Sequence, residues 1–290
     1  MKNVFLFLLL SLFGLVLYAQ DTKLNIVVIG AHPDDADVDV GGTAYTYASM
    51  GHNVLFVSLT NGDAGHFNKG GGALAKIRIK EAQEAGKRIG VTYKVLDHHD
   101  AELMPTLELR HQIIRLIRNW NADVVITHRP YDYHPDHRNT AIAVQDAAFL
   151  VIVPNVAPDV PALKKNPVFL YSHDNFKKPQ PFEPDITVDI SNVYDKKIYG
   201  IAAHESQFFE WLPWLSGVLD KVPDSEEDKL KWLASLRFQA ITPEVKASLE
   251  KWYGKEKAAK VTIAESFEIC EFGHQPSEEE IRKLFPMIGN

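Results

Sequence analysis

Cysteine is almost absent from this sequence. Cys270 is the single cysteine among 290 residues. One thiol excludes an internal disulfide, and it also excludes a metal site built from several cysteine ligands. A bound metal would therefore depend on histidine and carboxylate side chains.

Positive charge is also scarce in the chain. Lysine and arginine together number 31 against 38 aspartate and glutamate residues, which gives a formal net charge of −7 at pH 7. A nucleic-acid partner would require a basic surface to neutralise its phosphates. We therefore expect no nucleic-acid partner, and the 12 histidines are the more informative residues.

One long apolar run stands at the N-terminus. Lys2 is followed by an apolar stretch, residues 4–18, that ends at the small Ala19. This pattern is typical of a secretory signal peptide cleaved after Ala19. An uncleaved transmembrane anchor is the alternative, but the run is shorter than the roughly 20 residues of a full span. We therefore predict a signal peptide at 1–19, export to the periplasm or the cell exterior, and no stable membrane anchor after cleavage.

Apolar strands alternate with helical segments through the middle of the chain. Strands are predicted at 24–29, 53–59, 92–96, 123–127, 168–171 and 186–190, and helices at 41–50, 74–89, 107–120 and 139–150. Such alternation predicts an α/β fold, with a Rossmann-like, doubly wound and mostly parallel sheet of strand order 3-2-1-4-5 covered by helices. The alternation ends near residue 205, so residues 207–290 are predicted to form a mostly helical extension packed on the same domain.

Two short clusters of histidine and aspartate follow the first and fourth predicted strands. They are AHPDD at 31–35 and YHPDH at 133–137. In strand order 3-2-1-4-5 these two strands are neighbours, and ligands bind in the crevice beyond their carboxyl ends. Catalytic zinc is usually held by three histidine or carboxylate ligands and an exchangeable water. A histidine at a strand end often has only a structural role, but two such clusters at one crevice favour a mononuclear zinc hydrolase.

An ordered series of further motifs makes the chain resemble a known family. The motifs are GGT at 41–43, LTNGDAG at 59–65, RIKE at 78–81, DAEL at 100–103, HPDHR at 134–138 and HESQ at 204–207. Together with AHPDD they resemble the PIG-L/LmbE-like deacetylases, zinc enzymes that remove acyl groups from N-acetylglucosamine-type amines. The resemblance covers residues 26–207 and implies a deacetylase domain at 20–206.

The resemblance implies a metal site and a general base. His32, Asp35 and His137 would be the ligands of one Zn²⁺ per chain, and Asp34 would be the general base. Zinc lowers the pKa of a bound water to about 7, and a neighbouring carboxylate can accept its proton. Fe²⁺ or another divalent metal remains an alternative, because mixed histidine and carboxylate sites accept several cations.

The resemblance also implies roles for residues around the metal. His134 would polarise the acyl carbonyl and stabilise the oxyanion, and Asp136 would orient a neighbouring histidine. Arg78 and Asp100 match positions that contact substrate in family members. For Arg78 the alternative is a solvated charge on a helix.

These inferences predict a secreted, zinc-dependent hydrolase that removes an acyl group, expected to be acetyl, from an N-acylated amino sugar such as an N-acetylglucosamine conjugate. One alternative is a zinc amidase of the same fold that acts on another N-acyl substrate. A second is a non-catalytic, metal-stabilised carbohydrate-binding protein. The expected partner is a small amino-sugar molecule, and the sequence predicts no particular oligomeric state.

Other segments near the expected pocket have more than one interpretation. Residues 66–72 are glycine-rich, which predicts a mobile loop at the mouth of the pocket. This loop is either a gate or a disordered stretch. His204 is either a pocket residue or a buried helix histidine. Residues 153–184 contain seven prolines and predict a long surface excursion, with or without a binding role. The tryptophans are predicted to be core residues rather than a sugar-stacking platform.

Overall fold

The computed structural model describes residues 23–236 and 238–288. The strands are β1 (Asn25–Gly30), β2 (Asn53–Thr60), β3 (Thr92–His98), β4 (Val124–Thr127), β5 (Val168–Ser172), β6 (Ile186–Asp189) and β7 (Ala264–Gly273). The helices are α1 (Asp35–Ser49), α2 (Gly71–Ile89), α3 (Leu107–Trp120), α4 (Pro135–Ala148), α5 (Tyr194–Ile201), α6 (Leu212–Leu215), α7 (Glu226–Ser235), α8 (Pro243–Tyr253), α9 (Lys255–Ala258) and α10 (Glu278–Leu284).

The strands form one sheet of order β3-β2-β1-β4-β5-β7-β6. The first five strands in this order are parallel, and β1 pairs with β2 on one side and with β4 on the other. The predicted order 3-2-1-4-5 is therefore confirmed. Because β1 and β4 are neighbours, the turns that follow them open at the same edge of the sheet.

The two remaining strands close the sheet in the antiparallel direction. β7 lies between β5 and β6 and pairs antiparallel with both. Residues 207–290 thus contribute helices and also a ten-residue strand, which the sequence analysis did not predict. Glu265, Glu268 and Glu271 recur at a spacing of three, which imitates the polar face of a helix. In the structure Glu265 is completely buried.

Alternate residues of β1 face two separate cores. Ile26 and Val28 belong to a cluster with residues of α1 and α8, whereas Val27 and Ile29 belong to a cluster with residues of α3 and α4. This division follows from the two-residue period of a strand. Helices therefore cover both faces of the sheet, and the carboxyl ends of its central strands are left to form a site.

Helices α1 and α4 begin earlier than the apolar pattern predicts. The apolar pattern predicts helix starts at 41 and 139, whereas these helices begin at Asp35 and Pro135. Aspartates in the first turn favour an early start because they interact with the positive end of the helix dipole. Both histidine–aspartate clusters consequently lie at helix N-termini, in the connections that follow β1 and β4.

A buried ion pair attaches β7 to the helices. The ammonium group of Lys197 in α5 lies 2.7 Å from Oε1 of Glu265, and both side chains are buried. The backbone N–H groups of Gly42 and Thr43 in α1 also donate to this carboxylate, at 2.9 and 2.7 Å. The carboxylate therefore connects β7 to α1 and α5.

The predicted signal peptide at 1–19 lies outside the described residues. Across the part of the chain that the structure describes, no helix combines the length and apolar content required to cross a bilayer.

Candidate active site

The turn after β1 fixes the carboxylate of Asp35. The backbone N–H groups of Ala31 and His32 donate to Oδ2 of Asp35, at 2.8 and 2.7 Å. A Cβ atom on Gly30 would lie only 2.7 Å from Cβ of Asp35. Glycine at position 30 therefore permits the helix to start close to the strand end, and the backbone orients the carboxylate.

The three predicted metal ligands converge at the edge of β1 and β4. Nδ1 of His32 lies 3.1 Å from Nε2 of His137, and Nε2 of His137 lies 3.5 Å from Oδ1 of Asp35. Nδ1 of His32 lies 3.6 Å from Oδ2 of Asp35. Tetrahedral zinc with bonds of 2.0–2.2 Å holds its ligand atoms roughly 3.4 Å apart. The two imidazole nitrogens and the Asp35 carboxylate, with one oxygen near each imidazole, are therefore close enough to share one divalent cation.

Carboxylates face the outer nitrogens of both candidate ligand histidines. Nε2 of His32 lies 3.1 Å from Oδ1 of Asp100 and 3.4 Å from Oδ2 of Asp136. Nδ1 of His137 donates to Oδ2 of Asp132 at 3.0 Å. A proton on each outer nitrogen leaves the inner nitrogen with the lone pair that a metal requires. Asp132 was not predicted, although it lies in the same turn as the second cluster.

Asp136 and Asp100 both face Nε2 of His32. Asp136 is completely buried and accepts from the backbone N–H groups of Ala101 and Leu103, at 2.7 and 3.2 Å. This geometry is compatible with the orienting role predicted for it. Asp100 lines the cavity described below, where substrate contact was predicted, but its carboxylate also faces His32.

His128 is a further imidazole of the site that the sequence analysis missed. Its Nε2 lies 3.1 Å from Oδ2 of Asp35, and its ring stacks on that of His137 with centroids 4.1 Å apart. The backbone N–H of Ala31 also points at this nitrogen, at 3.2 Å. His128 therefore packs behind Asp35 and His137. The available signal was its position directly after β4.

The electrostatics of the cluster favour a cation. Burial alone would raise the pKa of Asp35, but the imidazoles of His137 and His128 hold it well below its ordinary value. Burial alone would lower the pKa of His32, but the facing carboxylates, Asp100 foremost, raise it well above its ordinary value. The site is thus rich in negative charge that a divalent cation would compensate.

Arg78 lies behind Asp34 instead of lining the cavity. Its side chain is completely buried, and Nη2 donates to Oδ1 of Asp34 at 3.1 Å. Gly62, with a φ of +70°, lets the chain pass closely over the guanidinium group. Substrate contact was predicted for Arg78, whereas these contacts fit a residue that positions Asp34.

The RIKE and HESQ motifs meet around Arg78. With its amide oxygen turned inward, Gln207 accepts from Nη2 of Arg78 at 2.8 Å. The backbone N–H and the hydroxyl of Ser206 donate to the carboxylate of Glu81, at 2.8 and 2.6 Å. His204 is buried and bonded to Asp37 at 2.9 Å, so it is not a pocket residue. The two motifs hold Arg78, and through it Asp34, in place.

His134 caps helix α4 and presents a donor to the cavity. Its Nδ1 accepts from the backbone N–H of Asp136 at 3.2 Å, so in the neutral ring the proton is on Nε2. Burial and the nearby imidazoles of His32 and His137 lower the pKa of His134. His134 is therefore suited to donate a hydrogen bond from Nε2 rather than to bind a metal.

These residues surround a cavity of about 560 Å³. Its polar side includes Asp34, Asp35 and His134. The cavity is also lined by apolar side chains, which are those of Val38, Phe208, Trp211, Leu212, Leu215 and Phe238. A π-helical turn, Ser206–Trp211, carries part of this wall, and such turns are frequent at functional sites.

Comparison with known proteins decides the family. Residues 27–148 match PIG-L, described as GlcNAc-PI de-N-acetylase. Over 228 residues the chain is 30% identical to the diacetylchitobiose deacetylase of Thermococcus kodakarensis, a match that covers 70% of this chain and 82% of that protein. The chain belongs to the PIG-L family.

Two further comparisons support this membership. The chain is 26% identical over 193 residues to a Bacillus anthracis protein named "Probable N-acetyl-alpha-D-glucosaminyl L-malate deacetylase 2", covering 63% of this chain and 81% of that protein. The fold matches that of N,N'-diacetylchitobiose deacetylase from Pyrococcus horikoshii with a TM-score of 0.65 and 25% identity, covering 84% and 83% of the two chains. The predicted family, α/β fold class and deacetylase class of enzyme are thus confirmed.

The glycine-rich loop of this PIG-L chain is anchored. Nε2 of His66 lies 2.8 Å from the carboxylate of Glu210, which Lys69 also contacts. Phe67 stacks on Trp214 with ring centroids 5.1 Å apart. These contacts attach the loop predicted to be mobile to the π-helical turn and α6.

The tryptophans of the PIG-L chain divide into two groups. Trp252 is buried in the main core, as predicted. Trp211 instead lines the cavity and stacks on Trp214, which is 46% exposed. The prediction that the tryptophans are core residues is therefore wrong for these two.

Proposed function

We propose that this PIG-L protein removes the acetyl group from the amine of an N-acetylglucosamine-type sugar and releases acetate and the free amine. The observation that carries the proposal is the convergence of His32, Asp35 and His137 at a cavity that also contains Asp34 and His134. The names of the relatives, which act on acetylated glucosamine compounds, agree with it.

We propose that a single divalent cation, with Zn²⁺ preferred and Fe²⁺ as the alternative, completes the site. Nδ1 of His32, the carboxylate of Asp35 and Nε2 of His137 would hold it, since their separations of 3.1–3.6 Å match one coordination sphere. When bound, such a cation supplies Lewis acidity for an acyl carbonyl and increases the acidity of water.

Asp34 acts as the general base in this proposal. Its Oδ1 accepts from Arg78, which leaves Oδ2 to take a proton from the attacking water. His134 donates from Nε2 to the acyl oxygen as negative charge develops on it. The C–N bond then breaks, the amine takes a proton held by Asp34 or His134, and acetate leaves.

Acetate release tests the proposal. The metal-reconstituted protein is assayed with N-acetylglucosamine, diacetylchitobiose and a set of N-acyl amino acids, before and after chelation. We expect acetate from the sugars and its loss on chelation, with recovery when Zn²⁺ or Fe²⁺ is returned. If only the N-acyl amino acids are hydrolysed, the substrate is an N-acyl amino acid and not an acetylated sugar. If sugars bind but no acetate is released, the protein is non-catalytic.

We also propose that residues 1–19 direct export. The supporting pattern is one lysine, an apolar run and a small residue at position 19. Protein isolated from the periplasm or the medium is expected to begin at Gln20. Retention of the segment in the membrane fraction would favour an uncleaved anchor.

A further inference from the structure

A second cavity, of about 860 Å³, adjoins the candidate active site. It lies between residues 173–185 and helix α8. His173 and Asp174 line both this cavity and the one that contains the catalytic candidates. The two cavities are therefore adjacent, and these two residues lie between them. We call the second cavity the extension groove.

One wall of the extension groove is held in place by buried charged groups. Arg129, which follows β4 and is 2% exposed, donates to the backbone carbonyl of Gln180. Its Nη1 lies 3.6 Å from Asp174 and 3.6 Å from Glu268 in β7. Glu268 also accepts from the backbone N–H of Glu183 at 3.0 Å. This part of the proline-rich excursion is thus attached to the sheet and forms a built surface.

The groove combines aromatic rings with hydrogen-bonding groups. Phe182 is half-buried and meets His173 edge to face, with ring centroids 5.0 Å apart, and Phe176 lies in the same wall. Helix α8 forms the other wall, where the small residues Ala247 and Ser248 are among the lining residues. Polar residues that line the groove include Asn175, Asp185, Thr242 and Lys251, of which Lys251 is also paired with Glu278. Aromatic surface with a few polar groups suits a ligand that has both apolar faces and hydroxyl groups.

We propose that the extension groove binds additional sugar units of the substrate whose N-acetyl group occupies the active site. This inference rests on the proposed deacetylase function. Carboxylates outnumber lysines in the lining, with Asp174, Glu183, Asp185 and Glu244 against Lys177 and Lys251, so the groove would not select a polyanion. A neutral oligosaccharide fits this lining, and the preferred substrate is then an oligosaccharide rather than a single sugar.

The test measures how turnover depends on substrate length. Initial rates of acetate release are determined with N-acetylglucosamine and its β-1,4-linked oligomers of two to five units. We expect kcat/KM to rise by roughly tenfold or more with length, chiefly through KM, because added contacts of this kind bind substrate and transition state equally.

Phe182→Ala removes an aromatic surface of the groove. It should lower kcat/KM for the longest oligomer by roughly tenfold, the cost of losing most of one aromatic contact, and leave the single sugar unchanged. Phe149→Ala is the matched control, since Phe149 directly follows α4, is 65% exposed and lines neither cavity.

Ala247→Trp fills the groove from the opposite wall without removing any existing contact. It should abolish the advantage of the longer oligomers, whereas Ala259→Trp, at an exposed alanine outside the groove, should not. Turnover of the single sugar shows that each variant is folded.

The outcomes separate the two proposals. Equal kcat/KM at all lengths, or equal losses at all lengths in both groove variants, would overturn the extension groove and leave the deacetylase function standing. No acetate from any sugar would overturn the deacetylase function itself.

Discussion

Nδ1 of His32 lies 3.1 Å from Nε2 of His137, although 105 positions separate the two residues in the chain. The adjacency of β1 and β4 brings them together. Each ring turns its other nitrogen toward a carboxylate, so two lone pairs meet with the carboxylate of Asp35 beside them. A cation between these groups accounts for their convergence.

Replacing any of the three donors by alanine should remove the metal. His32→Ala, Asp35→Ala and His137→Ala each leave two protein ligands, which is too few for a stable site. Elemental analysis after gel filtration is expected to give about one equivalent for the wild type and a small fraction of it for each variant. His99→Ala is the control, because its side chain is 67% exposed. Undiminished metal in all three donor variants would reject the ligand assignment.

Asp34→Asn should separate metal binding from turnover. The amide preserves the shape of the side chain but cannot accept a proton from water. Metal content should stay at the wild-type level, while kcat falls by roughly 10²–10⁴, the usual contribution of a general base. Metal analysis and acetate release, measured on the same preparation, check metal binding and turnover respectively. Near wild-type turnover in this variant would exclude Asp34 as the base.

His134 carries two functions that different substitutions can separate. It caps α4 through Nδ1 and offers a donor from Nε2. His134→Asn keeps a favourable N-cap but shortens the donor, so stability should be retained while kcat falls by roughly 10²–10³. His134→Ala should lose the same activity and also about 1 kcal/mol of stability. Thermal unfolding and acetate release measure the two effects, and full activity in His134→Asn would refute the donor role.

Arg78→Lys distinguishes positioning from substrate binding. Arg78 is buried and contacts Asp34, so lysine would keep the charge but lose the planar fork that fixes the carboxylate. We expect kcat to fall by roughly 10²-fold, because a small displacement of a reacting group lowers the rate by about this factor. KM should stay close to that of the wild type. A raised KM with unchanged kcat would instead restore the role in substrate contact predicted from the sequence.

The central sheet could be predicted because its strands are continuous apolar runs separated by amphipathic helices. β7 could not, because its buried Glu265 has a partner, Lys197, that lies 68 positions away. A sequence pattern treats an acidic residue as a surface residue, and only the tertiary fold supplies the cation that allows burial.

The meeting of the two histidine–aspartate clusters could be predicted because they follow neighbouring strands, and the family resemblance selected His32, Asp35 and His137 within them. The supporting residues were harder to predict, since their roles depend on side-chain directions. Asp132 and His128 follow β4 in a segment without a distinctive motif. Only the structure shows that Asp132 contacts His137 and that His128 contacts Asp35. Arg78 lies on a helix where a charge is usually solvated, and its partner Asp34 comes from another turn.

The pair formed by Lys197 and Glu265 should make a large contribution to stability. Lys197→Met leaves a buried carboxylate with its backbone donors but without its cation, and losing one partner of a buried pair typically costs about 3–5 kcal/mol. Adding Glu265→Gln should recover part of this loss, because the uncompensated charge is then removed. Urea unfolding provides the free energies. Lys196→Met, at the exposed neighbouring lysine, should change stability by less than about 0.5 kcal/mol. A loss in Lys197→Met as small as that of the control would show that Gly42 and Thr43 alone stabilise the buried carboxylate.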